Sequence, residues 1–312
     1  MKKPLFTSML FFIALLLATC GNGGGDLQPP VPYGQRIQIV ATISIIADMV
    51  YHVAGDLVNI YTIIPIGDNP EEHDIMPADM VAVANADLIF FNGWNLEAGN
   101  GWFADLMQST GMTENINYFR VTQGIAPFFL LTDGMEYEED PHAWLDLSKG
   151  IVYVQNIAQI LSEFSPQNAD IFAANADNYI ADLYALHNEW VGRFDHIPAS
   201  QRLLVSSEGA FRYFAAAYNL YEAYIWELNA EEEGTPEQML ALIDAINTSQ
   251  VRSLFSESSI DPQYIKQISA ETGIPIFGML FTDSLSEPGG VAGTYYDMMR
   301  FNLETIYAGL TN

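Results

Sequence analysis

SPQNADIFAANADNYIADLYALHNEWVGRFD, residues 165–195, opens with Ser165-Pro166, a favourable cap and first-turn pair, and then carries no Gly or Pro until Gly192. Ile171, Ala174, Tyr179, Leu183 and Leu186 recur close to helical period. The stretch predicts one helix of about 30 residues, about 45 Å long. Such an element spans two lobes as a stiff backbone and leaves little room for wide hinge motion.

The flanks of this helix agree with that reading. On its N-terminal side the apolar runs IQIVAT (37–42), VNIYTII (58–64), DLIFF (87–91) and INYF (116–119) read as strands, with helices around 45–54, 77–86 and 101–109. On its C-terminal side RLLVSS (202–207), AYIWEL (223–228), SLFSE (253–257) and IPIFGML (274–280) alternate with helices near 209–218, 236–248, 261–272 and 291–308. Strands alternating with helices mark βαβ units and a largely parallel sheet. The expected fold is α/β: two lobes, each with a mainly parallel sheet flanked by helices, joined by one long rigid helix. The expected boundaries are an N-terminal lobe over 36–164, a linking helix over 165–197 and a C-terminal lobe over 198–312.

The 312 residues suffice for two cores, with 50% of them hydrophobic. The chain carries 39 Asp and Glu against 11 Lys and Arg, a formal net charge of −28. Nucleic acid is excluded as a partner by that balance, since phosphate binding needs a basic footprint. Lys2-Lys3 and the apolar run LFTSMLFFIALLLAT (5–19) form the charged and hydrophobic regions of a secretory signal, too short to span a membrane comfortably. Cys20, directly after it, is the one cysteine of the chain, so no internal disulfide forms. A lone cysteine there resembles the lipobox of bacterial lipoproteins, although Thr19 stands where Gly, Ala or Ser is usual. Residues 1–20 are therefore expected to be a signal peptide ending in a lipidation site at Cys20. The Gly- and Pro-rich stretch 21–35 is expected to be a flexible tether.

Of five histidines, His52, His187 and His196 fall on helices or at a helix end, where packing or solvent exposure explains them. His73 and His142 differ, because each follows a strand-like run and sits in a short polar loop, PEEHD and EEDPHAW. Open α/β sheets present ligand sites at the carboxyl ends of their strands. By the same logic Glu208 follows RLLVSS and Asp283 follows IPIFGML, so topology brings two residues from each lobe toward one crevice. Two neutral imidazoles and two carboxylates form an N2O2 set suited to manganese, iron or zinc.

These segments resemble the metal-binding lipoproteins of the zinc/manganese ABC importer family, from Arg36 to Asn312. IVATISIIADMVYHVAGD (39–56) is similar to the family's opening strand and helix. IPIGDNPEEHDIMPADM (64–80) and DPHAWLDLSKG (140–150) resemble its first two ligand loops, and SSEGAFRYFAAAYNL (206–220) and FTDSLSEPGG (281–290) its last two. The resemblance implies metal ligation by His73, His142, Glu208 and Asp283. Zinc-specialised members usually carry histidine at the third position and a His-rich loop before the second ligand; here stand Glu208 and the acidic TDGMEYEED (132–140). IWELNAEEEGTPEQM (225–239) also looks like the manganese-type branch. Asp74-Ile75-Met76 departs from the aromatic-rich sequence usual after the first ligand. Glu257, at the end of SLFSE, is expected to orient a ligand histidine from behind.

The implied function is that of an extracytoplasmic, lipid-anchored solute-binding protein and not an enzyme. It captures a divalent metal, Mn2+ before Zn2+ or Fe2+, as cargo for an ABC importer permease. It is expected to be a monomer. The alternatives are a cell-surface adhesin of the same family, a carrier for an organic ligand, and a secreted metallohydrolase. The last is disfavoured because catalytic zinc needs an open coordination position and the chain has no HExxH motif.

Overall fold

The structure, a computed structural model, describes residues 36–98, 101–131, 137–228 and 234–312. The signal segment, the tether, Cys20 and part of the acidic stretch before His142 lie outside the described residues.

The N-terminal lobe is built on β1 (Ile37–Ala41), β2 (Val58–Thr62), β3 (Leu88–Phe91) and β4 (Tyr118–Arg120), in the order β2-β1-β3-β4. All three pairings are parallel, with Ile39 facing Ile60 on one side and Leu88 on the other. The strand β3, LIFF, is buried at every residue, as expected of a strand covered on both faces. Helices α1 (Ser44–Ala54), α2 (Pro77–Ala84) and α3 (Trp102–Thr110) supply the crossovers. On α1 the core is entered by Ile45, Ile46, Met49, Val50 and Val53. Each such side chain contributes about 1.5–3 kcal/mol through burial.

Two long helices come next. The first, α4 (Leu147–Phe164), is capped by Asp146, whose side chain accepts from Ser148 N. The sequence pattern does not announce it. A 3-10 turn over Pro166–Asn168 separates it from α5 (Ala169–Trp190). The predicted helix over 165–195 is thus shortened to 22 residues, about 33 Å. Pro166 starts a turn and not the helix itself, and Gly192, at φ 77°, ends the run. One end of α5 lies on α1, with Asn175 Nδ2 donating to Val53 O at 3.0 Å and Tyr179 Oη to Asp48 Oδ2 at 3.2 Å. Its other end packs Trp190 against Tyr307. The helix therefore touches both lobes.

In the C-terminal lobe β5 (Leu203–Val205) pairs with β6 (Tyr221–Ala223), and β7 (Leu254–Glu257) with β8 (Ile276–Leu280). Both pairs are parallel and β5 lies beside β7. Helices α6 (Arg212–Tyr218), α7 (Pro236–Thr248), α8 (Gln263–Thr272) and α9 (Tyr295–Thr311) surround them. The strand expected over 223–228 pairs only as far as Ala223. Beyond it the chain bends to bridge Trp226 to Glu208, which carries Glu227 into a polar cluster.

The lobes meet along a polar seam. Trp144 Nε1 donates to Thr282 O at 3.0 Å, Leu285 N to Ser44 Oγ at 2.9 Å, and Tyr295 N to Asp48 Oδ2 at 2.9 Å.

Candidate metal site

His73 is presented by the loop after β2. Asn69 accepts from Glu71 N at 3.0 Å and starts the short turn Pro70–Glu72 that ends at His73. The ring is buried, edge-on to Trp102, with Nε2 3.1 Å from Asp79 Oδ2. Asp79 stands in the first turn of α2 and also accepts from Met76 N and Tyr61 Oη. Burial, with the bond to Asp79, pushes the Tyr61 phenol up to about 12.

His142 lies two residues beyond Asp140 and is fully buried. Asp140 Oδ1 accepts from the His142 backbone N at 3.0 Å and stands 2.8 Å from Nδ1. A proton on Nδ1 leaves the Nε2 lone pair of the neutral ring for a metal. That Nε2 faces Asp283 Oδ1 at 3.5 Å and Glu208 Oε1 at 3.9 Å. All three atoms are buried and none has a hydrogen-bond partner among the described residues. Two donors held about 2.1 Å from one ion at the tetrahedral angle stand about 3.4 Å apart, so the spacing fits donors converging on a common point.

Burial opposes charge on His142, yet Asp140 and Asp283 outweigh it and hold the imidazole well above its ordinary value. Burial first, then Glu71 and Asp283, pushes the Glu208 carboxyl well above the carboxylate range. Burial would raise Asp283 too, but His142 and the hydroxyls of Ser259 and Thr282 reverse the effect and hold it low. The three groups thus pull apart, with His142 and Glu208 holding their protons more tightly than usual and Asp283 less tightly.

Three of the four residues expected from the sequence are brought together. His73 is not within ion-pair distance of the other three; it lines an opening of about 570 Å3 with Asp68, Asn69, Asp74 and Ser259. Among the described residues no group of three or more His, Cys, Asp or Glu stands in an arrangement that already could hold a metal ion. Glu257 corrects an expectation, because its carboxylate holds no histidine. It accepts from Ser207 N at 2.6 Å, Ser207 Oγ at 3.0 Å and Glu208 N at 2.9 Å, and so fixes the backbone that aims Glu208. Burial, partly offset by these bonds, pushes it up to about 7. The carboxylates that hold the histidines are Asp79 and Asp140. Sequence reasoning missed both, although Asp140 stands two residues before His142 in the same loop. His52 pairs with Asp48, and His187 Nδ1 lies 3.3 Å from Tyr218 Oη, away from the crevice.

Two parallel-sheet lobes bridged by a long helix, with imidazole and carboxylates converging between them, define a metal-binding protein of the solute-binding class. The sequence matches the family described as zinc-uptake complex component A, periplasmic, over residues 39–309. The chain belongs to this family. It is 43% identical over 311 residues to the manganese ABC transporter substrate-binding lipoprotein PsaA of Streptococcus mitis, covering 99% of both chains. It is 41% identical over 310 residues to a metal ABC transporter substrate-binding lipoprotein of Lactococcus lactis, covering 99% of this chain and 98% of that one. The Mn-bound periplasmic metal-binding protein of Candidatus Liberibacter asiaticus superposes with a TM-score of 0.77 at 30% identity, over 88% of this chain and 100% of that one. The periplasmic zinc-binding protein TroA of Treponema pallidum superposes with a TM-score of 0.80 at 27% identity, over 88% and 99% of the two chains.

Proposed function

We propose that this protein captures one manganese ion in the interlobe crevice and delivers it to the permease of an ABC importer, working outside the cytoplasm from a lipid anchor at Cys20. The observation that carries the reading is the trio of buried, unpartnered atoms His142 Nε2, Glu208 Oε1 and Asp283 Oδ1. Leaving three polar atoms buried and unsatisfied is unfavourable by about 1–3 kcal/mol each, more for charged groups, unless something binds them.

A divalent cation between them would satisfy all three and neutralise both carboxylates. His73, whose Nε2 stands on Asp79 and which lines the opening together with Ser259, is the fourth donor in this reading. Two carboxylates with two imidazoles form a harder set than one richer in histidine, which favours manganese without excluding zinc. The names of the Streptococcus relatives, manganese transporter lipoproteins, support that choice. They also support a permease partner and a membrane-anchored location.

The test is manganese titration followed by electron paramagnetic resonance, on the full protein and on His142→Ala. One manganese per chain, lost or greatly weakened in the variant, is the expected result. Equal binding by the two proteins would end the assignment.

A further inference from the structure

His142 sits at the root of a hairpin. Segments Phe128–Leu131 and Tyr137–Asp140 run antiparallel, with Leu130 N donating to Glu138 O at 2.9 Å and Asp140 N to Phe128 O at 2.8 Å. The three carbonyls just before His142 are each held by a side chain. Asn95 Nδ2 donates to Glu139 O at 3.1 Å, Tyr213 Oη to Asp140 O at 3.0 Å, and Asn92 Nδ2 to Pro141 O at 3.1 Å. Asn92 and Asn95 lie just after β3 in the N-terminal lobe. Tyr213 comes from α6, in the other lobe.

Tyr213 does not act alone. Its hydroxyl also accepts from Phe128 N at 2.8 Å, on the opposite arm of the hairpin. Its neighbour Arg212 donates through Nη1 to Phe129 O and through Nη2 to Glu227 Oε1 at 2.6 Å. Glu227 is buried and accepts from Leu131 N at 2.8 Å and from Tyr224 Oη at 2.9 Å. Four main-chain groups of the hairpin are therefore gripped by three side chains of the C-terminal lobe. The remaining Arg212 Nε is taken by Glu222 Oε1 at 3.2 Å, so each of the three guanidinium nitrogens has a partner.

We propose that Tyr213, Arg212 and Glu227 form an interlobe clasp on this hairpin that sets where His142 presents Nε2 to Glu208 and Asp283, and so governs how long the metal is retained. The proposal rests on the reading of His142 as a metal donor. A hairpin that lifts from α6 moves Asp140, and Asp140 holds both the backbone N and the Nδ1 of His142. Because donor sites tolerate only about 0.5 Å of misplacement, a small shift withdraws one ligand while Glu208, held separately by Glu257, stays in place. The three clasp residues are positioning residues and touch no metal.

The experiment measures manganese release from the full protein during a chelator chase, together with the resonance spectrum of the bound ion. The variants are Tyr213→Phe, and Arg212→Gln combined with Glu222→Gln and Glu227→Gln, so that neither carboxylate partner of Arg212 is left as an unpaired buried charge. Release faster by about 10- to 100-fold, the range typical for groups behind metal ligands, with an altered zero-field splitting, is expected in both variants. A folded Tyr213→Phe protein with the wild-type release rate and spectrum would overturn the clasp. So would a lowered thermal midpoint of the metal-free variants with unchanged release, since that marks a purely structural role. If the wild type binds no manganese, or His142→Ala retains it equally well, the underlying metal reading fails and takes the clasp with it.

Discussion

His142 Nε2 and Asp283 Oδ1 stand 3.5 Å apart across the interlobe crevice, both buried, too far for a strong hydrogen bond and close enough for strong charge attraction. The separation fits two donors to one ion, and Asp283 joins Asp140 in raising the imidazole against the effect of burial.

The first prediction concerns protons. His142 and Glu208 both bind protons more tightly in the folded metal-free protein than their ordinary values would give. Metal needs both deprotonated, so binding should release protons. A raised folded value means stability that is fully present below the unfolded value and lost as pH rises through the folded one. The metal-free protein should therefore weaken as pH rises above about 6.5 for His142, and above about 4.5 for Glu208. Asp283, held low, acts oppositely: its contribution is present above its unfolded value of about 3.8 and is lost as pH falls below it. The rise in thermal midpoint on adding manganese should shrink as pH falls from about 7.5 to 5. Calorimetry in buffers of different ionisation enthalpy counts the protons; none released would contradict the site.

Selectivity provides the second. Replacing Glu208→His turns an N2O2 set into N3O and should raise the zinc-to-manganese affinity ratio by about tenfold or more. Competition titration reads the ratio directly, and an unchanged value would separate Glu208 from metal choice.

A third prediction comes from the carboxylates behind the ligands. Asp140→Asn keeps the shape beside His142 but removes the anion that holds Nδ1 and the backbone N. Manganese affinity should fall by about 10- to 100-fold. Glu257→Gln should do the same through Glu208 and destabilise the fold by about 1–3 kcal/mol, because an amide cannot accept from all three donors now bound. Urea unfolding beside metal titration distinguishes the two effects.

The fourth concerns packing. Gly150 on α4 lies against the Tyr295 hydroxyl, which donates to Trp144 O, and a methyl group there would strike that ring. Gly150→Ala should lower stability by about 1–3 kcal/mol through overpacking, despite the better helix propensity of alanine. A stability at or above wild type in denaturant unfolding would contradict this packing.

Much of the architecture is legible in the sequence because parallel strands buried on both faces leave continuous apolar runs, as in LIFF of β3. Helix α4 is hidden because its apolar positions start inside a ligand loop and run into Ser165-Pro166, a pair that reads as the start signal of α5. The strand over 223–228 is overextended because AYIWEL has strand composition, while Glu227 turns inward to Arg212 for reasons of charge. Among the candidate site residues, Glu208 and Asp283 are legible because each stands shortly after a strand, and His73 and His142 because each lies in a short polar loop. Asp79, Asp140 and Tyr213 are not, since their roles depend on contacts that only the folded chain creates. Glu257 has the expected property, a buried acid near the site, but a different partner: the Ser207–Glu208 backbone in place of a histidine.

The bond from Tyr295 N to Asp48 bears on how the protein comes into being. Asp48 belongs to the first helix, and Tyr295 opens the last, α9. Chains emerge and fold from the N-terminal side onward. Until α9 is laid down, Asp48 lacks one of the groups that tie the lobes together, and the seam beside the crevice stays incomplete. Asp283 and Tyr295 both come near the end of the chain, so the crevice between the lobes takes its final form only once the last helix is in place.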